Sequence, residues 1–265
     1  MPNIIEFTYV QDLTEVVRPI FDSIKPFPIK NLLPEWYKEL STKGPRPHPE
    51  EHPLKYQPTI KKCMPVMDYL TSGYIIPAWE ELILYKNKHG NIEINTYVNG
   101  TGQRENYLRE NKHDMRQLNT FSHTMLFDEY FGDLDRETYE EESGAGFWVS
   151  KLMNPWKIKT PKGYSCLFTR PWYHNQKINI LPGIVDTDNF DMLINFPFMV
   201  NLKFKETYEI GIGDPLICVF PYKRDDWQMK ISVDSSDPQP NPNVYNIVRD
   251  LYKKYVREKN GRSYV

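Results

Sequence analysis

A mainly β fold, built as a barrel or sandwich, is predicted by three features of this 265-residue chain. Short β-type runs crowd residues 153–221, at 156–158, 165–168, 177–180, 192–194, 199–204 and 216–220. Turn signals at Pro161-Lys162-Gly163, Pro182-Gly183, Asp188-Asn189 and Gly213-Asp214-Pro215 separate them. Strands this short and this regularly interrupted leave no room for the crossover helices of a parallel sheet. The third feature is the 22 prolines, which fix φ and remove donors, so the chain favours ordered loops over long helices.

From the N-terminus, residues 1–58 read as an extended arm. Residues 3–10 have strand character, and Leu33-Pro34-Glu35-Trp36-Tyr37-Lys38-Glu39-Leu40 reads as a short helix with proline where a first turn tolerates it. Gly44-Pro45-Arg46-Pro47-His48-Pro49 and His52-Pro53 then exclude a regular ladder, so this arm either wraps a neighbouring subunit or lies on its own domain. His48 and His52 have the i, i+4 spacing of a helical metal pair, but the prolines between them remove the helix, and no metal site is assigned.

Residues 59–233 read as a β-rich core. Within it, residues 79–85 and 91–98 alternate apolar with polar positions on either side of a turn-forming stretch, which predicts a hairpin. An inserted segment, 101–152, is polar and less regular. Its carboxylates, Glu129, Asp133, Asp135, Glu137, Glu140, Glu141 and Glu142, match neither a calcium loop nor a facial triad, so a solvated acidic surface is expected. Residues 234–265 read as a proline-punctuated linker and a C-terminal α-helix, because Val244, Ile247, Val248, Leu251 and Tyr255 fall at helical spacing.

Charge and motifs exclude several function classes. A formal net charge of -2 supplies no general attraction for nucleic acid, and none is expected as a partner. Cys63, Cys166 and Cys218 form no CxxC pair and read as small buried hydrophobes in a reducing compartment. The N-terminus lacks a basic region followed by an apolar core, and no run of about 18 apolar residues occurs, so neither signal-peptide export nor a membrane span is expected. No GxSxG, HExxH, GxGxxG or GxxxxGK[ST] pattern is present. The aromatic residues Tyr164, Phe168, Trp172, Tyr173, Phe196, Phe198, Phe204, Tyr222 and Trp227 suit core packing, a ligand pocket or a subunit interface.

Four segments occur in order at family-like spacing: Ile158-Lys159-Thr160-Pro161-Lys162-Gly163-Tyr164, Arg170, Gly183-Ile184-Val185-Asp186-Thr187-Asp188, and Glu209-Ile210-Gly211-Ile212-Gly213-Asp214-Pro215-Leu216-Ile217. Together they resemble the barrel segment of the dUTPase and dCTP deaminase superfamily, over about a quarter of the chain. The likeness implies a β-barrel of the β-clip type, with the hairpin, N-terminal arm and C-terminal helix added. It also implies a homo-oligomer, since barrels of that family are commonly trimeric. Separately, TIKKCMPVMD, SGYIIP, TPKGYSCLF, GIVDTD, NFPF and PYKRDDW resemble a family of phage and bacterial proteins. That second likeness implies a viral source, and with it a place in the host cytoplasm or the virion.

The superfamily resemblance would make Asp186 the base that activates water and Arg170 the phosphate's positive partner, with Tyr164, Asp188, Phe190 and Trp172 around the ligand. Magnesium enters only with that hydrolytic reading; otherwise no cofactor is expected. The departures point elsewhere. Pro171 and Trp172 replace a Ser-Gly pair that would contact phosphate, Cys218 stands where the family has Gln, and Asn189 where it has Tyr. Two functions follow: a non-catalytic viral β-barrel serving as a structural or interaction protein, such as a virion component, or a nucleotide- or small-ligand-binding protein or pyrophosphatase of dUTPase-like fold using Asp186 and Arg170. In a turn, the same aspartates serve to hydrogen-bond nearby backbone.

Overall fold

A computed structural model of the chain describes residues 3–10, 17–45, 56–86, 92–97, 121–126, 148–174, 177–200, 202–203 and 205–233. The chain divides into two units, Met1–Arg224 and Asp225–Val265. The first is mainly β and antiparallel throughout its described residues, as the sequence predicts.

Its N-terminal third contributes β1 (Glu6–Tyr9), α1 (Phe21–Ile24), β2 (Phe27–Pro28), α2 (Glu35–Glu39), β3 (Lys43–Pro45), β4 (Tyr56–Pro58), α3 (Met64–Thr71) and β5 (Tyr74–Pro77). There follow β6 (Glu81–Lys86), β7 (Ile92–Tyr97), β8 (Phe121–Leu126), β9 (Trp148–Met153), β10 (Trp156–Lys159) and β11 (Tyr164–Thr169). The unit ends with β12 (Ile178–Ile180), β13 (Gly183–Val185), β14 (Asn195–Val200), β15 (Thr207–Ile210) and β16 (Pro215–Lys223).

The central sheet has the order β13-β11-β16-β5-β2, and its spine is the long pairing of β11 with β16, from Tyr164↔Lys223 to Thr169↔Cys218. Four consecutive residues of β16, Leu216, Ile217, Cys218 and Val219, are buried, as in a strand covered on both faces. A second sheet runs β12-β14-β9-β8 and a third β15-β6-β7. Phe168 of the first meets Phe196 of the second with ring centroids 5.2 Å apart, so aromatic packing joins the two layers. Two-stranded pairs, β1-β10 and β3-β4, complete the described strands, which form separate sheets and no closed barrel.

The predicted hairpin is β6–β7, paired from Glu81↔Tyr97 to Lys86↔Ile92. The short helix after Pro34 is α2, with that proline as its N-cap. Among the described residues of the 1–58 arm, β1 lies on β10 and β2 on β5. The polar segment supplies β8 and β9, which pair with each other and, through β9, with β14. No strand forms at 192–194, and the strand expected at 199–204 starts earlier, as Asn195–Val200, where β9 and β12 supply cross-strand partners. His48, His52, the carboxylates from Glu129 to Glu142 and the C-terminal helix lie outside the described residues.

Buried Asn154 shows how local chemistry sets a strand start. Its amide donates to the Trp156 carbonyl at 2.6 Å and its carbonyl accepts the Trp156 N–H at 3.1 Å, closing the turn before β10 around Pro155.

Candidate functional site

Asp186 and Asp188 sit on the turn that follows β13. The Asp186 carbonyl accepts the N–H groups of Asn189 and Phe190 at 3.0 and 2.9 Å, so the backbone curls back on itself and aims both side chains at the start of β11. Opposite lies the Pro161-Lys162-Gly163 turn, where Gly163 takes φ +86°, a conformation that favours glycine. β16 delivers Arg224 to the same place, because its last residues pair with Tyr164 and Ser165.

The four elements close one network. The Gly163 N–H donates to Asp188 Oδ2 at 2.8 Å, and the Arg224 backbone N–H donates to the Gly163 carbonyl at 2.8 Å. The Arg224 guanidinium meets Asp188 through Nη1 at 2.9 Å and Nη2 at 2.5 Å. Nη1 also reaches the Tyr164 carbonyl, Ser165 Oγ and Asp186 Oδ1 at 3.1, 2.9 and 3.1 Å. The Ser165 hydroxyl donates to Asp186 Oδ1 at 2.6 Å. Thr160 and Thr187 share a hydroxyl contact at 2.7 Å beside them.

The two aspartates differ in accessibility. The Asp188 side chain is 2% exposed, and Arg224 together with the Gly163 N–H holds its carboxyl down at about 2. The same ion pair raises Arg224 above its ordinary value. Asp186 is 61% exposed and, with Asn189 and Phe190, lines a shallow concavity of about 450 Å³.

Arg170 belongs to a different place. It follows β11, five residues beyond Ser165, roughly 16 Å along the strand from the aspartates. Its Nη1 donates to Asn179 of β12, and its guanidinium lies 4.0 Å from the centroid of the exposed Trp172 ring. The Trp172 indole N–H donates to Thr169 Oγ1 at 3.2 Å. Arg170 therefore ties the central sheet to the β12 sheet.

The other predicted ligand contacts divide likewise. Tyr164, whose hydroxyl accepts from Asn3 Nδ2 at 2.6 Å, lines a second concavity of about 220 Å³ with Ile4, Ile5, Tyr74, Thr160, Pro161 and Pro221. Phe190 shares the first concavity with Asp186, Asp188 is closed within the network, and Trp172 stands apart with Arg170. Sequence reasoning missed the role of Arg224. It lies 36 residues from Asp188, and only the β11–β16 pairing brings the two together. The available signal was a cation just after a strand, with two aspartates unmatched nearby.

A magnesium ion does not fit between Asp186 and Asp188, because the Arg224 guanidinium already provides the positive charge there. Among the described residues, no group of three or more His, Cys, Asp and Glu side chains is placed to hold a metal. Nor is any described helix long and apolar enough to cross a membrane.

No protein-family model matches the chain, and no curated protein matches it. Among solved structures, a mutant dUTPase from phage phi11 of S. aureus, described for its coordination of a structural Mg(II) ion, is similar to part of it. The likeness has a TM-score of 0.25 at 14% identity, covering 34% of this chain and 74% of that one. The mainly β, antiparallel architecture is established by the chain's own strand pairing.

Proposed function

We propose that this chain is a non-catalytic β-protein that works by association with other protein chains, as a structural or interaction protein of viral origin. One observation carries the reading: Arg224, Ser165 and Gly163 engage Asp186 and Asp188, while Arg170 is held elsewhere by Asn179 and Trp172. A general base must reach the proton it abstracts, and phosphoryl chemistry needs a cation on the phosphate beside it. Here the cation nearest the aspartates is spent on fastening a turn. The phage likeness of the sequence motivates the viral setting, with a virion component as its fullest form.

The rival reading is a nucleotide or small-ligand site at Asp186. It draws on that residue's exposure and on the concavity it shares with Asn189 and Phe190. Incubating the protein with each nucleoside triphosphate and magnesium, and following pyrophosphate release, separates the two. Release at the buffer rate is expected. Release above it that Asp186→Asn abolishes would overturn the non-catalytic reading.

A further inference from the structure

The concavity of about 220 Å³ beside Tyr164 is framed by three neighbouring strands of the central sheet. β11 and β5 both pair with β16, and the registers Cys166↔Pro221 and Val219↔Tyr74 set Tyr164, Pro221 and Tyr74 on one face of that sheet. Two tyrosine rings thus flank a proline. Pro161, on the turn before β11, and Ile4, which β1 carries past that turn along β10, complete the apolar part of the lining.

Both rings are braced from behind. Tyr74 packs on Phe7 with ring centroids 5.6 Å apart, and the Tyr164 hydroxyl accepts from Asn3 Nδ2 at 2.6 Å. That bond engages the hydroxyl's oxygen and leaves its proton to donate, while Asn3 keeps Oδ1 as an acceptor. Thr160, by contrast, spends its hydroxyl on the Tyr164 carbonyl and on Thr187.

We propose that this concavity binds a proline-containing segment of another protein in the polyproline II conformation, which deepens the association reading and rests on it. Among the described residues that line it none is charged, so a phosphate or carboxylate would lose its hydration there without an opposite charge. Its volume lies below the roughly 300–1,000 Å³ of sites for drug-sized ligands and suits one small ring with its flanking amides. Proline meets each requirement. Its ring packs on tyrosine and proline faces, it has no N–H to leave unpaired, and the carbonyl before it accepts from the Tyr164 hydroxyl. A non-proline residue beside it supplies an N–H for Asn3 Oδ1. Because the polyproline helix is formed before it docks, little ordering entropy opposes binding to rings that are themselves already held.

The test uses the full chain and a fluorescein-labelled peptide of Ala-Pro-Pro repeated four times, with binding read by anisotropy. Saturable binding is expected, and none by an Ala-Ser-Ser peptide of equal length. Tyr164→Phe and Asn3→Ala should each weaken it about threefold or more, the effect of one lost hydrogen bond. Ile4→Asp should weaken it at least as much, and Ile4 is 70% exposed, so this change leaves the fold in place. Circular dichroism spectra should match wild type in all three. A peptide that fails to saturate, equal binding of the Ala-Ser-Ser peptide, or an affinity that none of the three variants moves would each overturn the proposal. Any of these in a protein that releases no pyrophosphate sinks this site alone; nucleotide turnover would sink the association reading itself.

Discussion

Arg224 grips Asp188 with both terminal nitrogens, Nη1 to Oδ1 at 2.9 Å and Nη2 to Oδ2 at 2.5 Å, across 36 residues of chain. A two-pronged contact of this kind depends on the planar guanidinium fork, which lysine lacks. Arg224→Lys is therefore expected to lower the thermal midpoint by several degrees, and Arg224→Ala to lower it further, since Ser165, Asp186 and the Tyr164 carbonyl lose the same donor. Thermal unfolding by circular dichroism checks the order. Equal midpoints for wild type and Arg224→Lys would show that the fork does not matter.

Acid should loosen the same contact. Asp188 is held at about 2 by Arg224 and the Gly163 N–H, against an ordinary 3.8. A depressed carboxyl contributes stability that is complete above the unfolded value and is lost as pH falls through the folded one. The loss attributable to Asp188 thus runs from about pH 4 down to about pH 2. The Asp188→Asn variant should start less stable at pH 6 and lose less between pH 4 and pH 2. Parallel pH profiles for the two proteins would remove Asp188 from the account.

Two glycines with positive φ should respond differently to alanine. At Gly73, φ +78°, an added Cβ would lie 2.5 Å from the Val219 carbonyl oxygen and 2.8 Å from Phe220 Cδ1. At Gly163, φ +86°, it would meet nothing within 4 Å. Gly163→Ala should cost about 1–2 kcal/mol for the backbone conformation alone. Gly73→Ala should cost about 2–4 kcal/mol, because overpacking against β16 adds to the same backbone term. Urea unfolding measures both, and a Gly163→Ala cost equal to or above that of Gly73→Ala would contradict the geometry.

The three cysteines should separate cleanly by reactivity. Burial pushes the Cys218 thiol up to about 12 and raises Cys166, while Cys63 is exposed. The thiolate is the reactive form, so native protein should take one alkyl group, at Cys63, and three only after denaturation. Mass spectrometry after brief iodoacetamide treatment reads this directly. A second adduct on native protein would mean that the β11 or β16 cysteine is accessible.

What could be read from the chain followed the range of the interaction. Alternation along 79–85 and 91–98 is a property of neighbouring residues, and β6–β7 appears where it points. Pro161-Lys162-Gly163 needed only glycine's access to positive φ. The pairings of β1 with β10 and β2 with β5 join segments far apart in sequence, and no local pattern distinguishes them from a loose arm. α3 carried a signal that the reading passed over, a proline in its first turn. At the candidate site, Asp186 and Asp188 were visible as a turn motif. Arg224 was not, because its partners are chosen by the register of β11 against β16.

The most direct measurement of the central claim is thermal unfolding of wild type and Asp188→Asn, each against millimolar nucleotides with and without magnesium. Because a ligand that binds the folded state raises the midpoint once its concentration exceeds its dissociation constant, binding would be visible at these concentrations. The result expected is a lower midpoint in Asp188→Asn and no nucleotide shift in either protein. A nucleotide shift in wild type that Asp188→Asn removes, at unchanged ligand-free stability, would contradict the account and make these aspartates a ligand site.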